Sequence, residues 1–278
     1  MSSIKKNTIA SERLYTEYIS DVSTEHLHRY AISTSIIKEK VVLDIASGEG
    51  YGSYLLSKYA KKVIGVDIDS KSIANAKIKY TKDNLEYIKG STSDIPVLDN
   101  SIDVVISFET IEHHNEHSEM MLEIKRVLKP EGVLLISSPD KQNYSDKTGH
   151  ENEYHVKELY KDEFIELISN HFKNYSMSYQ KFISASIIIN ESQEDLISFQ
   201  GDFENICEYN FTKNAMYLLC LASDNELPKI GSSIFNSNID YNELMDNKIK
   251  SVQESWSFKL GNFLLTPFSF IKNALSSK

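Results

Sequence analysis

Residues 41–52 read Val-Val-Leu-Asp-Ile-Ala-Ser-Gly-Glu-Gly-Tyr-Gly, and no other stretch limits the possible folds so sharply. Val41, Val42 and Leu43 form the short β-branched and apolar run of a strand buried in a parallel sheet. Asp44 closes it with a carboxylate, and Gly48, Gly50 and Gly52 follow at alternate positions. An apolar helical pattern (Tyr51, Leu55, Leu56, Tyr59) starts at once. Strand, glycine turn and helix in direct succession place a bare-backbone pocket at the carboxyl edge of an open α/β sheet, where such sheets bind ligands. A Cβ in that turn would obstruct the ligand or the positive-φ geometry.

The spacing narrows the ligand. A pyrophosphate fingerprint reads G-x-G-x-x-G; here Ser53 stands where the third glycine belongs. Asp44 would repel a pyrophosphate and suits a ligand with a cationic ammonium or sulfonium. The next apolar run, Lys62 to Asp67, ends in an acid 19 residues after Gly48, close to the roughly 20-residue offset of an acid that binds ribose hydroxyls. The pocket therefore calls for a nucleoside with a positive tail and no phosphate.

Strand and helix patterns then alternate, with strands near 41–45, 62–66, 85–89, 102–108 and 132–138 and helices near 24–38, 51–59, 70–80 and 118–128. This implies an α/β fold with a mainly parallel sheet. A long loop at 139–157 precedes a helix at 158–170, a strand at 172–179 and a second, antiparallel strand at 215–221 that closes the sheet. Residues 183–213 read as an insertion. The formal net charge of -10 argues against nucleic acid as substrate, which wants a basic face. Two cysteines, Cys207 and Cys220, make no disulfide framework. No signal segment or membrane-length apolar run is present, so the cytoplasm is the expected compartment.

With these features in place, the chain resembles the class I S-adenosylmethionine-dependent methyltransferases. Asp44 to Gly50 is similar to the family's first motif, with Ala46 where the family pattern has its first glycine. Ser93-Asp94-Ile95-Pro96 looks like the adenine-binding turn. Ile102 to Glu109 resembles the fourth strand, and Leu128 to Ser137 the following turn and fifth strand. The likeness covers roughly residues 40 to 180. It implies S-adenosyl-L-methionine as cofactor and a Rossmann-like sheet of seven strands, mainly parallel with an antiparallel last strand and helices on both faces. It further implies a cofactor site built from Asp44, Ala46, Gly48, Gly50, Asp67, Ile68, Asp94, Ile95 and Glu109. In that site Asp67 takes the ribose hydroxyls and Asp94 the exocyclic amine. The implied organisation is an N-terminal segment and helix over the cofactor (1–39, with Arg13, Tyr15 and Tyr18 as covering residues), a methyltransferase domain (40–224), and a linker with a C-terminal helical tail (225–278).

Methyl transfer to a hydroxyl needs an in-line acceptor and removal of a proton. Histidine suits the second task at neutral pH. His113 and His114 after the fourth strand, and His155 in the loop after the fifth, are the candidate catalytic residues. His113 and His117 have the i, i+4 spacing of metal ligands, but the run Glu112 to Glu119 reads as a solvated helix start, so no metal is expected. Finer similarities resemble methyltransferases encoded with bacterial surface-polysaccharide enzymes: Glu25 to Tyr30, Ser138 to Asp146, Asn152 to His155 and Tyr217 to Asp224. They imply O-methylation of a sugar hydroxyl or terminal phosphate of a surface glycan or its precursor. A small phenol- or quinone-precursor-like acceptor, and a non-catalytic scaffold for a polysaccharide-assembly complex, are the alternatives. After Glu254 the tail has no acid, and aromatics lie among Lys259, Lys272 and Lys278. A basic amphipathic segment suits a peripheral contact with the inner membrane face or with an assembly partner.

Overall fold

The computed structural model describes residues 21–183, 199–201, 206–208, 211–236 and 249–262. Arg13, Tyr15 and Tyr18, most of the 183–213 insertion, and the tail at 237–248 and 263–278 lie outside them. The chain divides into two compact units, Met1–Phe235 and Asn236–Lys278.

In the first unit helix α1 (Asp21–Ser33) leads to strand β1 (Val41–Ile45). Helix α2 (Tyr51–Leu56), β2 (Lys62–Asp67), α3 (Ser70–Lys79), β3 (Leu85–Lys89) and β4 (Ile102–Ser107) follow. Next come α4 (His117–Val127), β5 (Leu128–Pro139), α5 (Lys161–Ser169) and β6 (Asn174–Gln180). The chain continues through a small hairpin of β7 (Phe199–Gly201) and β8 (Ile206–Glu208) to β9 (Tyr217–Ser223). Seven strands form one sheet in the order β3-β2-β1-β4-β5-β9-β6. Strands β1 to β5 pair in parallel, and β9 runs antiparallel to both its neighbours. The mainly parallel sheet with an antiparallel last strand is as the sequence implied. One detail differs: β9 does not close the edge but is inserted between β5 and β6. All seven of its residues are buried, whereas β6 is largely open to solvent. An unbroken apolar run belongs inside a sheet and a half-polar one at its rim.

Alternate strand residues point to opposite faces, and the two cores follow that rule. Leu43, Ile64, Val105 and Leu134 pack with Met120, Ile124, Phe164 and Ile168 of α4 and α5. Their neighbours Val42, Val63, Val104 and Leu135 pack on the other face with Tyr30, Ile37 and Leu56. The segment before β1 is thus part of a core, as are Leu227 and Ile230, which pack against the same cluster. Helix α1 ends at Ser33 and α2 at Leu56, each earlier than the apolar spacing suggested.

Strand register positions the site. Asp44 sits opposite Gly65 of β2 and Ile106 of β4, and β2 carries on to Asp67. Neighbouring strands leave β1 in opposite sequence directions, the topological switch at which open α/β sheets hold ligands. In the second unit, residues 249–254 and 256–262 are helical, with Ile249, Val252, Trp256, Phe258 and Leu260 exposed. Among the described residues no helix is long and apolar enough to cross a membrane.

Candidate active site

The turn after β1 is built by local chemistry. Asp44 is buried and its Oδ2 accepts a 2.6 Å hydrogen bond from Ser53 Oγ in the first turn of α2. Tyr30 Oη of α1 donates to its Oδ1 at 3.4 Å. Burial is the largest influence on this carboxyl and raises its pKa to about 7. The Ser53 and Tyr30 hydrogen bonds oppose that rise, and the charge of Asp67 adds to it. Ala46 adopts φ 60°, the left-handed region that glycine enters without penalty. It occupies the family's glycine position at some steric cost. Gly50 has φ 91°, and a Cβ there would lie 2.7 Å from Ala76 Cβ and 2.9 Å from the Tyr87 ring. A Cβ on Gly52 would lie 2.0 Å from Tyr30 Cζ, so this glycine admits the α1 tyrosine over the turn.

At the end of β2, Asp67 Oδ2 accepts from Gly48 N and Oδ1 from Asp69 N, both at 2.8 Å. These bonds fix the carboxylate at the end of β2. Gly48 at φ 54° has nothing within 4 Å of where a Cβ would be. Beside it Ile68 is 66% exposed. An anchored acid, a bare backbone opening on free space and an apolar face at the edge of a parallel sheet fit a nucleoside. On this geometry the residues suit S-adenosylmethionine.

Asp94 is exposed, in a turn closed by reciprocal backbone bonds with Ser91. Ile95 departs from expectation. Its side chain is 2% exposed in the main core, its N–H goes to Glu123 Oε2 at 2.8 Å, and its carbonyl accepts from Arg126 Nη2 at 2.7 Å. Ile95 holds the adenine-type turn to α4 rather than offering it a donor.

Glu109 follows β4 with φ 49°, a strained conformation for a glutamate. It is held by Ser137 of β5, whose Oγ accepts from Glu109 N at 3.1 Å and donates to Oε1 at 2.5 Å. Arg29 Nη1 lies 3.5 Å from the same Oε1. Arg29 is buried, gives Nη1 to Gln180 Oε1 at 2.7 Å, and stacks 4.8 Å over the Tyr217 ring. Its Nε and Nη2 have no hydrogen-bond partner. Glu25, one helical turn earlier, is buried nearby; burial raises its pKa and the Arg29 charge opposes that rise. Sequence reading missed this charge cluster. Its one signal was an acid and a base at i, i+4 on an otherwise core-facing helix.

The histidines separate into two groups. His114 Nδ1 accepts from Glu116 N at 3.2 Å, and its Nε2 faces Thr92 Oγ1 at 3.4 Å. With its lone pair spent on the backbone, His114 serves the turn and drops out as a base. His117 Nε2 bonds to His114 O at 2.7 Å, so the His113–His117 pair weighed for metal does not converge. His113 and His155 do meet, ring centroids 5.2 Å apart, although they follow different strands. Their loops are neighbours because β4 and β5 are paired, and Val156 N and Lys157 N bond to Glu112 O. His155 Nδ1 lies 2.5 Å from Glu158 Oε1, with both side chains under 10% exposed. Tyr144 stacks on the His155 ring at 5.4 Å. Glu158, which fixes the ring, was also missed; the His-x-x-Glu spacing was its signal.

Comparison with known proteins bears on the same residues. Residues 43–136 match a family model described as a methyltransferase domain. The chain is 35% identical over 130 residues to a protein of Mycolicibacterium smegmatis named as a probable S-adenosylmethionine-dependent methyltransferase. Residues 43–136 are therefore similar in sequence to the domain of S-adenosylmethionine-dependent methyltransferases. A Mycobacterium tuberculosis protein named in the same way is 34% identical over 130 residues. These matches take in 46% of this chain and 49% and 46% of the two relatives, so the chain spans about half the length of the curated relatives it matches. In fold, this chain is similar to a Thermotoga maritima protein described as a possible histamine N-methyltransferase. That likeness has TM-score 0.53 at 15% identity and covers 74% of this chain and 91% of that one. It is also similar to a Pyrococcus horikoshii protein, with TM-score 0.54 at 20% identity over 76% of this chain and 96% of that one.

Proposed function

We propose that the chain transfers the methyl group of S-adenosylmethionine to a hydroxyl oxygen, and that the acceptor is a sugar of a bacterial surface glycan or its precursor. The observation that carries the reading is His155, held through Nδ1 by Glu158 and flanked by Tyr144 and His113. In this reading Asp67 binds the ribose hydroxyls, Asp94 the adenine amine, Gly48 lets the cofactor approach, and Asp44 faces its cationic tail. When bound, the cofactor supplies a methyl group on an already activated sulfonium. The protein's task is then to place the acceptor in line and relieve it of a proton. A histidine whose Nδ1–H is given to a carboxylate presents an electron pair at Nε2; Asn152 Nδ2 donates to that nitrogen at 3.1 Å, and the acceptor hydroxyl takes the place of this side-chain amide. Exposed Tyr154 and Tyr160, with Tyr144, give the loop flat apolar faces among polar groups, as sugar rings require.

A second reading, a small anionic metabolite as acceptor, is favoured by Arg29, whose Nε and Nη2 lack hydrogen-bond partners. Labelled methyl transfer, run in parallel on extracted surface glycan and on a metabolite pool, separates the two. Label in glycan is the expected outcome; label only in metabolites refutes the glycan acceptor. Calorimetry with S-adenosylhomocysteine tests the cofactor assignment, which fails if the wild-type protein does not bind it.

A further inference from the structure

Glu112, His113 and His155 each offer one ligand atom, and these three atoms lie within 4.8 Å of one another. Glu112 and His113 lie in the short turn after β4, and His155 in the loop after β5. Two features make this more than a meeting of polar side chains. His113 Nδ1 lies 3.1 Å from Tyr154 O, a group that can only accept, so Nδ1 carries the proton and Nε2 the lone pair. That Nε2 is 3.9 Å from Glu112 Oε1. At His155, Nδ1 faces the Glu158 carboxylate, and Asn152 Nδ2 approaches Nε2 at 3.1 Å. Asn152 Oδ1 is already taken by Tyr154 N, so its amide donates to Nε2, which must be the lone-pair nitrogen. Both rings are therefore oriented from behind by an oxygen acceptor on Nδ1, the arrangement that backs metal-ligating histidines.

We propose that Glu112, His113 and His155 form a site for a divalent first-row metal cation, which holds the acceptor hydroxyl. Two imidazoles and a carboxylate form a mixed nitrogen and oxygen donor set that first-row divalent cations accept. Ligand atoms sharing a metal at about 2.1 Å sit roughly 3 Å apart, so the three close by a small side-chain adjustment, and the cation replaces the Asn152 hydrogen bond at Nε2. Glu112 and His155 form the buried wall. His113, at 35% side-chain exposure, marks the open side where coordination positions remain for the acceptor. A cation there lowers the pKa of a bound hydroxyl; the proton leaves to solvent and the electron pair stays on the metal-bound oxygen. This inference rests on the hydroxyl-methylation reading and deepens it, because the histidines then act through the cation rather than as bare bases.

The test is Mn²⁺ binding to the full chain, followed by electron paramagnetic resonance and calorimetry, with and without S-adenosylhomocysteine. One Mn²⁺ per chain is expected, weakened at least tenfold by His113→Ala, which alters a partly exposed side chain, and by the conservative Glu112→Gln. His171→Asn, at the far end of α5, should bind as wild type. Absence of saturable Mn²⁺ binding, or equal binding by His113→Ala and Glu112→Gln, overturns the site. Methyl transfer to a hydroxyl that persists in chelator overturns the cation while leaving the proposed function standing. A protein that binds Mn²⁺ at these residues but methylates no hydroxyl refutes the function and not the site.

Discussion

Replacing Asp44 by asparagine separates what a buried charge costs the fold from what it gives the ligand. The carboxyl is buried and its pKa rises from an ordinary 3.8 to about 7. Each tenfold displacement of a proton equilibrium corresponds to about 1.4 kcal/mol, so holding Asp44 ionised in the folded protein costs about 4 kcal/mol above neutrality. The sign follows from linkage. Between pH 3.8 and 7 the folded state binds a proton that the unfolded state has released, so stability falls as pH rises through that window and levels off above it. The asparagine side chain carries no such charge. It keeps an acceptor for Ser53 Oγ but loses the charge-assisted part of that bond, about 1 kcal/mol. The expected result in urea unfolding without ligand is that Asp44→Asn is more stable than wild type by about 3 kcal/mol at pH 8. The advantage should shrink by roughly the same amount on going to pH 5. Cofactor binding should move the other way. A cationic tail beside this position requires the ionised carboxylate, so wild-type affinity for S-adenosylhomocysteine should fall about tenfold per pH unit below 7, while the weaker affinity of Asp44→Asn stays flat. Parallel stability curves from pH 5 to 8 would refute the buried-charge argument. A pH-independent wild-type affinity would refute the role given to Asp44 in binding.

Three further outcomes are expected. Gly52→Ala puts a Cβ 2.0 Å from the Tyr30 ring and should destabilise by about 1–3 kcal/mol. Thermal unfolding checks it, and adding Tyr30→Ala should give a smaller loss than the two single changes summed. Asp67→Ala removes the acceptor of Gly48 N and Asp69 N; it should weaken S-adenosylhomocysteine binding by about 1.5–3 kcal/mol per ribose bond lost, measured by calorimetry against a circular dichroism control. A chain ending at Phe235, the boundary between the two compact units, should keep the cofactor affinity of the full chain; loss of that affinity would make the second unit part of the binding core.

The sheet was legible because its strands are short apolar runs separated by helical patterns, and a parallel sheet leaves that signature in any chain. The place of β9 was legible in principle, since Tyr217 to Ala222 is apolar on both faces while Asn174 to Gln180 is half polar, but reading it required comparing two strands rather than each alone. Ile95 went the other way. Its position in the family motif suggested a cofactor contact, while its burial and its bonds to Glu123 and Arg126 come from an α4 surface that spacing within the turn does not reveal. Helix α1 looked like a cover, yet Tyr30 reaches through the space left by Gly52 to touch Asp44. A glycine's use depends on what approaches it, and the chain does not write that beside it.

In the proposed function the donor and acceptor halves of the site differ in kind for the same reason. The donor half lies on strand ends and the turns directly after them, where Asp44, Gly48 and Asp67 are fixed by local geometry and by the pairing of β1 with β2. Its chemistry can be read along the chain. The acceptor half forms only because β4 and β5 are neighbours, so that the turn carrying Glu112 and His113 meets the loop carrying His155 and Glu158. Sequence supplied the histidines, but which pair meets depends on sheet order, and which nitrogen holds the lone pair depends on Tyr154 O and Asn152. Domains with a common donor half can therefore take different acceptors. The loops after β4 and β5 are where changes of residue should alter what is methylated, while changes along Val41 to Gly52 should alter only whether methyl transfer occurs.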